Sequence, residues 1–256
     1  MAKIISIANQ KGGVGKTTTA VNLAAGLGSK GCKTLLIDID PQGNATSGVG
    51  IDRRSIKVSS YDILVGDMKA EEVVLKTEFK NLDLIPSSMD LAAADMELID
   101  CESRESKLKM SVLPIKSNYD YIIIDCPPSL GLVTTNALTL SNTLLVPIQC
   151  EYYALEGLTQ LMNTVRRVKR QYNSELELEG ILFTMYDGRL KLTQQVIEEV
   201  KKYLPKKVFN TVIPRGVRIS EAPSFGKPIM YFDKASKGAK AYISLSKEIL
   251  SNNKVN

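Results

Sequence analysis

Ile4-Ile5-Ser6-Ile7-Ala8-Asn9-Gln10-Lys11-Gly12-Gly13-Val14-Gly15-Lys16-Thr17-Thr18 is the stretch that decides the fold. A short apolar run passes into a glycine loop and then into a segment of helical period, Lys16 to Ser29, closed by Gly31. Strand, glycine loop and helix in that order are what a phosphate-binding loop requires. Glycines let the backbone curl until several N–H groups converge on one anion, and the helix N-terminus adds its partial positive charge. Gly12, Gly13, Val14, Gly15, Lys16, Thr17 and Thr18 are therefore the candidate phosphate contacts. Lys16 would reach the β- and γ-phosphates and the Thr17 hydroxyl would reach Mg²⁺. The common GxxxxGK[ST] spacing is not met, because Gln10 stands where its first glycine belongs and a second lysine, Lys11, opens the loop instead.

Working outward, further apolar runs recur at Thr34 to Asp38, Leu82 to Pro86, Tyr121 to Asp125, Thr143 to Pro147, Gly180 to Thr184 and Val208 to Ile213. Runs without alternation suit strands buried on both faces. Between them lie segments of helical period, including Glu156 to Lys169, Thr193 to Tyr203 and Ala239 to Leu250. Strands alternating with helices predict one α/β domain over residues 1–256, a twisted and mainly parallel sheet with helices on both faces. A polar tail, 251–256, is expected to fray.

Two acidic clusters follow predicted strands, where open α/β sheets place their ligands. One is Asp38-Ile39-Asp40-Pro41-Gln42-Gly43-Asn44. The other is Asp125, which caps four apolar residues as a metal-holding carboxylate does. Thr17, Asp40 and Asp125 make the candidate metal set.

Composition narrows the chemistry. The 256 residues contain no histidine, which removes the commonest general base and the commonest transition-metal ligand together. Cys32, Cys101, Cys126 and Cys150 show no CxxC spacing and read as reduced, mostly buried thiols. No apolar run approaches a membrane span or a signal-peptide core, which points to a cytosolic location. The net charge of +5 is uneven: residues 1–150 carry 15 Lys and Arg against 17 Asp and Glu, a net −2, whereas residues 151–256 carry 18 against 11, a net +7. The basic excess admits a polyanion partner or a solvated surface.

The KGGVGKTT loop, the DIDPQGN and IIIDCPPSLG segments and the later VIPRGVRISEAPSFGKP stretch together resemble the ParA/Soj branch of the deviant Walker A ATPases, which partition chromosomes and plasmids. The resemblance runs from Lys3 to about Ile249. It implies an Mg²⁺-dependent ATPase with a P-loop NTPase fold of seven or eight strands, an ATP-dependent sandwich homodimer, nonspecific DNA binding by that dimer, and a ParB-type partner that stimulates hydrolysis. It further implies a cytoplasmic, nucleoid-associated protein with no membrane contact. By position, Lys11 resembles the lysine that reaches the nucleotide of the opposite subunit, Asp40 the carboxylate that positions the attacking water, and Arg189 and Arg218 the contacts to the DNA backbone. Pro214 and Gly216 resemble the segment lying against adenine, with Gly216 where the family more often has Asn. The first strand begins two residues after Met1, without the extra N-terminal DNA-binding domain of larger plasmid relatives.

Other readings remain to be weighed. A nitrogenase iron-protein-like carrier shares the loop but needs paired cysteines for a cluster. A MinD-like membrane-cycling ATPase ends in a basic amphipathic segment, whereas Tyr242, Leu245, Ile249 and Leu250 here read as a face packed on the core. A nucleotide-binding adaptor without turnover would have no use for Asp40 and Asp125. For Arg189 and Arg218 the plain alternative is a local carboxylate pair. The run Arg166-Arg167-Val168-Lys169-Arg170 reads as a complement to its helix dipole rather than as a DNA patch.

Overall fold

A computed structural model describes residues 2–151 and 154–253. Seven strands, β1 (Lys3–Ile7), β2 (Thr34–Asp38), β3 (Leu75–Lys76), β4 (Leu82–Ile85), β5 (Tyr121–Asp125), β6 (Thr143–Gln149) and β7 (Glu177–Thr184), form one sheet in the order β3-β4-β2-β5-β1-β6-β7. All neighbours run parallel except the short edge pair β3 and β4. Helices α1 (Lys16–Ser29), α2 (Asn44–Gly48), α3 (Ser60–Leu64), α4 (Ala70–Val73), α5 (Leu91–Glu97) and α6 (Lys107–Val112) belong to the first half. The second half adds α7 (Leu132–Leu140), α8 (Ala154–Gln171), α9 (Lys191–Tyr203), α10 (Val217–Glu221), α11 (Ile229–Phe232) and α12 (Lys237–Asn252).

Every residue of β2 and β5 is buried, as expected for strands with helices on both sides. Alternate residues feed two cores. Ile4, Leu35, Ile37, Ile122 and Ile124 face α3 and α5–α9. Ile5, Ile7, Leu36 and Ile123 face α1 and α12. Tyr242, Leu245 and Ile249 of α12 are at most 1% exposed, so that helix spends its apolar face on the core, as its spacing predicted. Lys169 and Arg170 lie in the last turn of α8, where a positive charge complements the helix dipole.

Several expectations need correction. Val208–Ile213 is not a strand: it meets β7 through an isolated bridge from Val208 to Ile181 and through the Ile213 N–H, which donates to the Phe183 carbonyl at 2.8 Å, while Pro214 bridges Tyr186 just past the strand's end. The N–H groups of Asn210 and Thr211 donate instead to the Glu248 carboxylate of α12, at 2.7 and 2.9 Å, which draws the backbone off β7. The unforeseen β3 restores the count to seven. α12 continues past Leu250 to Asn252, and the last tail residues, 254–256, lie outside the described residues. Of the four cysteines only Cys126 is buried; Cys32, Cys101 and Cys150 are half-buried, and none is in a disulfide. Among the described residues no helix is long and apolar enough to cross a membrane.

Candidate functional site

β1, β5 and β2 lie side by side, and their C-terminal ends bring three segments distant in sequence to one place. Ile7 is in register with Asp125, and Asp125 with Asp38. The loop after β1 is tied down by side chains on its outer rim. Asn9 donates to the Pro147 carbonyl (2.7 Å) while accepting from the Lys11 N–H (3.0 Å). Gln149 donates to the Gly13 carbonyl (2.9 Å), and the Thr184 hydroxyl to the Val14 carbonyl (2.7 Å). With these carbonyls held outward, the loop N–H groups are left for an anion. Gly13 and Gly15 have φ of 73° and 86°, a left-handed conformation that side chains resist.

Lys16 is 6% exposed, and its ammonium spans the loop to the Lys11 carbonyl at 3.0 Å. Burial lowers its pKa, and the charges of Asp125 and Asp40 partly offset the effect. Asp125 is fully buried, and neither carboxylate oxygen has a hydrogen-bond partner among the described residues. Its pKa is pushed well up, first by burial and then by Asp38, while Thr17 and Lys16 pull it down. Thr17 is thus close enough to act on the carboxylate without a well-aligned hydrogen bond. A buried, unpartnered carboxylate beside a hydroxyl and an ammonium is a costly arrangement that a hard cation would relieve. Among the described residues no three His, Cys, Asp or Glu side chains form a self-sufficient metal cage. Mg²⁺ keeps waters and shares its shell between one or two protein oxygens and a phosphate, so the Asp125 carboxylate and the Thr17 hydroxyl are oxygen donors of the kind it takes.

Asp40 is 7% exposed and accepts from the Gln42 N–H at 2.9 Å. Its placement depends on Asp38, the first acid of the same cluster, and on Thr46 and Ser87, which the sequence did not single out. Asp38 accepts from the Asp40 N–H (3.2 Å) and from both the N–H (2.8 Å) and the hydroxyl (2.7 Å) of Thr46. Ser87 donates its N–H to the Thr46 hydroxyl (3.0 Å) and its own hydroxyl to the Asp40 carbonyl. Burial raises the Asp38 carboxyl to about 6 against these donors. A cavity of about 400 Å³ opens beside Thr17 and Thr18, bounded also by Asn44, Pro223 and Lys227. A larger cleft of about 850 Å³ lies past Pro41 and is not lined by the glycine loop.

The remaining candidates sit on the rim. Lys11 is paired within its own chain with Glu151, a partner 140 residues away that sequence spacing could not reveal. Pro214 bridges Tyr186, two residues after Thr184, so the 214–216 segment runs beside the loop. Gly216 has an extended backbone, and a Cβ there would meet Ile219 at an ordinary 3.6 Å, so a side chain fits. Arg189 follows one side of that bridge by three residues and Arg218 the other by four. Arg189 makes a two-pronged pair with Asp187 (2.9 and 2.6 Å), and Arg218 pairs with Glu221 (2.9 Å) and Asp233 (3.3 Å). These are exposed pairs, which are weak and exchangeable. Arg215, also unremarked in the sequence, is close enough to help lower the Asp187 carboxyl to about 2.

A sequence-family model described as an AAA domain matches residues 2–178. The sporulation initiation inhibitor protein Soj of Bacillus subtilis is 58% identical over 252 residues, covering 98% of this chain and all of the relative. The chromosome partitioning protein ParA of Myxococcus xanthus is 51% identical over 250 residues, covering 98% of this chain and 88% of the relative. Among solved structures, the cobyrinic acid a,c-diamide synthase of Mycobacterium smegmatis with bound ADP and magnesium is similar at a TM-score of 0.86. It is 35% identical, over 98% of this chain and 95% of that one.

Proposed function

The chain belongs to the Soj/ParA family of ParA/MinD-type P-loop ATPases, and from that premise we propose that it is a partitioning ATPase using Mg²⁺-ATP as a dimerisation switch. The observation that carries this reading is the buried, unpartnered Asp125 carboxylate beside Lys16 and Thr17 at the mouth of the glycine loop. The loop N–H groups would bind phosphate, Lys16 would neutralise its β- and γ-oxygens, and Thr17 and Asp125 would hold the metal with Asp40 beside them. Mg²⁺ supplies charge neutralisation at the phosphate oxygens. Asp40, held by Gln42, Asp38 and Ser87, orients the attacking water. Lys11 leaves Glu151 to reach the nucleotide of a second subunit, so a cation arrives at the developing charge only in the dimer. The dimer binds DNA through Arg189 and Arg218, and a ParB-type partner triggers hydrolysis and release. Such a protein works in the cytoplasm on the nucleoid.

Phosphate contacts release about 0.9 counterions each, so the slope of log affinity against log salt counts them. Two copies of each arginine share one face in the dimer, so Arg189→Ala and Arg218→Ala should each flatten that slope by about two, with little preference between unrelated duplexes. Binding should be far tighter in ATP than in ADP. Unchanged slopes in both variants would move the DNA surface elsewhere and leave both arginines to their carboxylates.

A further inference from the structure

α5 has two apolar faces, and only one is used. Leu91, Ala94 and Leu98 are buried in the core beneath it. On the opposite side Met89 just before the helix, Ala92, Ala93 and Met96 within it and Ile99 in the 3₁₀ turn that extends it keep the i, i+3, i+4, i+7 pattern of one helix face, all exposed. Met89, Met96 and Ile99 are 62, 76 and 55% exposed. An outward stripe of this period matches one face of another helix, and methionine adapts well to such a surface.

The frame of the stripe is acidic. Residues 89–105 hold six carboxylates, from Asp90 to Glu105, against one base, Arg104, a net −5 in a chain whose total is +5. Among the described residues none of Asp90, Glu97, Asp100 and Glu102 is in an ion pair. Two copies packed stripe to stripe about a two-fold axis would set these acids against themselves, so the complementary occupant is a basic one.

Two hydrogen bonds tie α5 and the residues before it to neighbouring segments on the nucleotide side of the sheet. Ser87, just before it, donates to the Asp40 carbonyl. Asp95, within it, accepts from the Val133 N–H at 2.8 Å, at the start of the helix that follows Asp125. A Cβ on Gly131 would meet the Asp95 carboxylate at 2.1 Å, so a side chain there would push that carboxylate aside. A load on α5 is therefore passed to the Asp40 segment through Ser87 and to the first turn of α7, the helix that follows Asp125, through Asp95.

We propose that the outer stripe of α5 is the docking surface for a basic amphipathic helix of the partner that stimulates hydrolysis. The proposal rests on the partner reading above and gives it a place and a chemistry.

The test uses the full chain with Mg²⁺-ATP and, as probe, a synthetic amphipathic Leu/Lys peptide of about 20 residues, long enough to hold a helix. The peptide should bind, raise turnover, and lose at least about tenfold in affinity in both Met96→Lys and Asp100→Lys, but not in Tyr203→Lys on α9. Basal turnover should be unchanged in all three. Equal affinity in Met96→Lys, equal binding of a peptide with Glu in place of Lys, or binding without a change in turnover would each overturn the proposal. So would a concentration-dependent dimer in ADP that Met96→Lys abolishes, since a second copy would then own the stripe. Absence of any basal turnover in the wild type would strike at the ATPase reading instead.

Discussion

Asp125 shows most clearly what holding a carboxylate at this site costs the protein. A carboxylate with no exposure and no hydrogen-bond partner is held against its own desolvation, and its pKa rises for that reason first. Asp125→Asn keeps the shape and removes the charge. It should stabilise the nucleotide-free protein by on the order of 1–3 kcal/mol, raising Tm by roughly 2 to 4 °C per kcal/mol, while abolishing Mg²⁺-dependent nucleotide binding. The sign with pH follows from the raised pKa: the penalty is absent below the ordinary value of 3.8, where the unfolded carboxyl is protonated too, and grows above it. Thermal scans from pH 4 to 7 should show the gap widening, and a variant less stable than wild type at every pH would contradict this account. This acid was legible in the sequence because four apolar residues run straight into it. Asp38 was not, since its significance comes from strand register with Asp125, and Thr46 and Ser87 matter only through their bonds to that neighbourhood.

At the scale of elements, close packing of α1 sets the direction of the loop that leads into it. Gly28 near its C-terminal end lies so near the turn before β4 that a Cβ would meet the Lys80 carbonyl at 2.4 Å. Alanine normally gains about 1 kcal/mol over glycine inside a helix, but here a backbone oxygen has to move, and overpacking costs about 1–3 kcal/mol. Gly28→Ala should therefore lower the urea midpoint, and an equal or higher midpoint would show that the turn yields freely. Long buried elements were readable: β1, β2, β5 and α1 are observed within a residue of where apolar runs and helical period placed them. The errors fall where a side chain competes for backbone. Glu248 takes the N–H groups that would have made Val208–Ile213 a strand. β3 has only two residues, too few for any period to register, and its Lys76 is paired with Asp83 on β4 at 2.6 Å.

Across the whole molecule the two halves of the chain divide the work. Residues 1–150, net −2, supply the loop and both acidic segments, while residues 151–256, net +7, supply the rim that carries Arg189, Arg215 and Arg218. The Tyr186 to Pro214 bridge joins the two arginine-bearing segments, a neighbourhood that charge counting along the sequence hints at without locating. Lys11, paired with Glu151 at the loop's edge, is the residue through which nucleotide would be converted into assembly. The most direct test is the solution mass by light scattering of three proteins, each in Mg²⁺-ADP and Mg²⁺-ATP: wild type, Asp40→Ala, and Asp40→Ala with Lys11→Ala. Asp40→Ala should bind ATP without turning it over and accumulate at twice the 28.1 kDa of the chain in ATP alone. Adding Lys11→Ala should return it to 28.1 kDa with nucleotide still bound. An Asp40→Ala protein that remains monomeric in ATP, or a dimer indifferent to nucleotide and to Lys11, would contradict the switch.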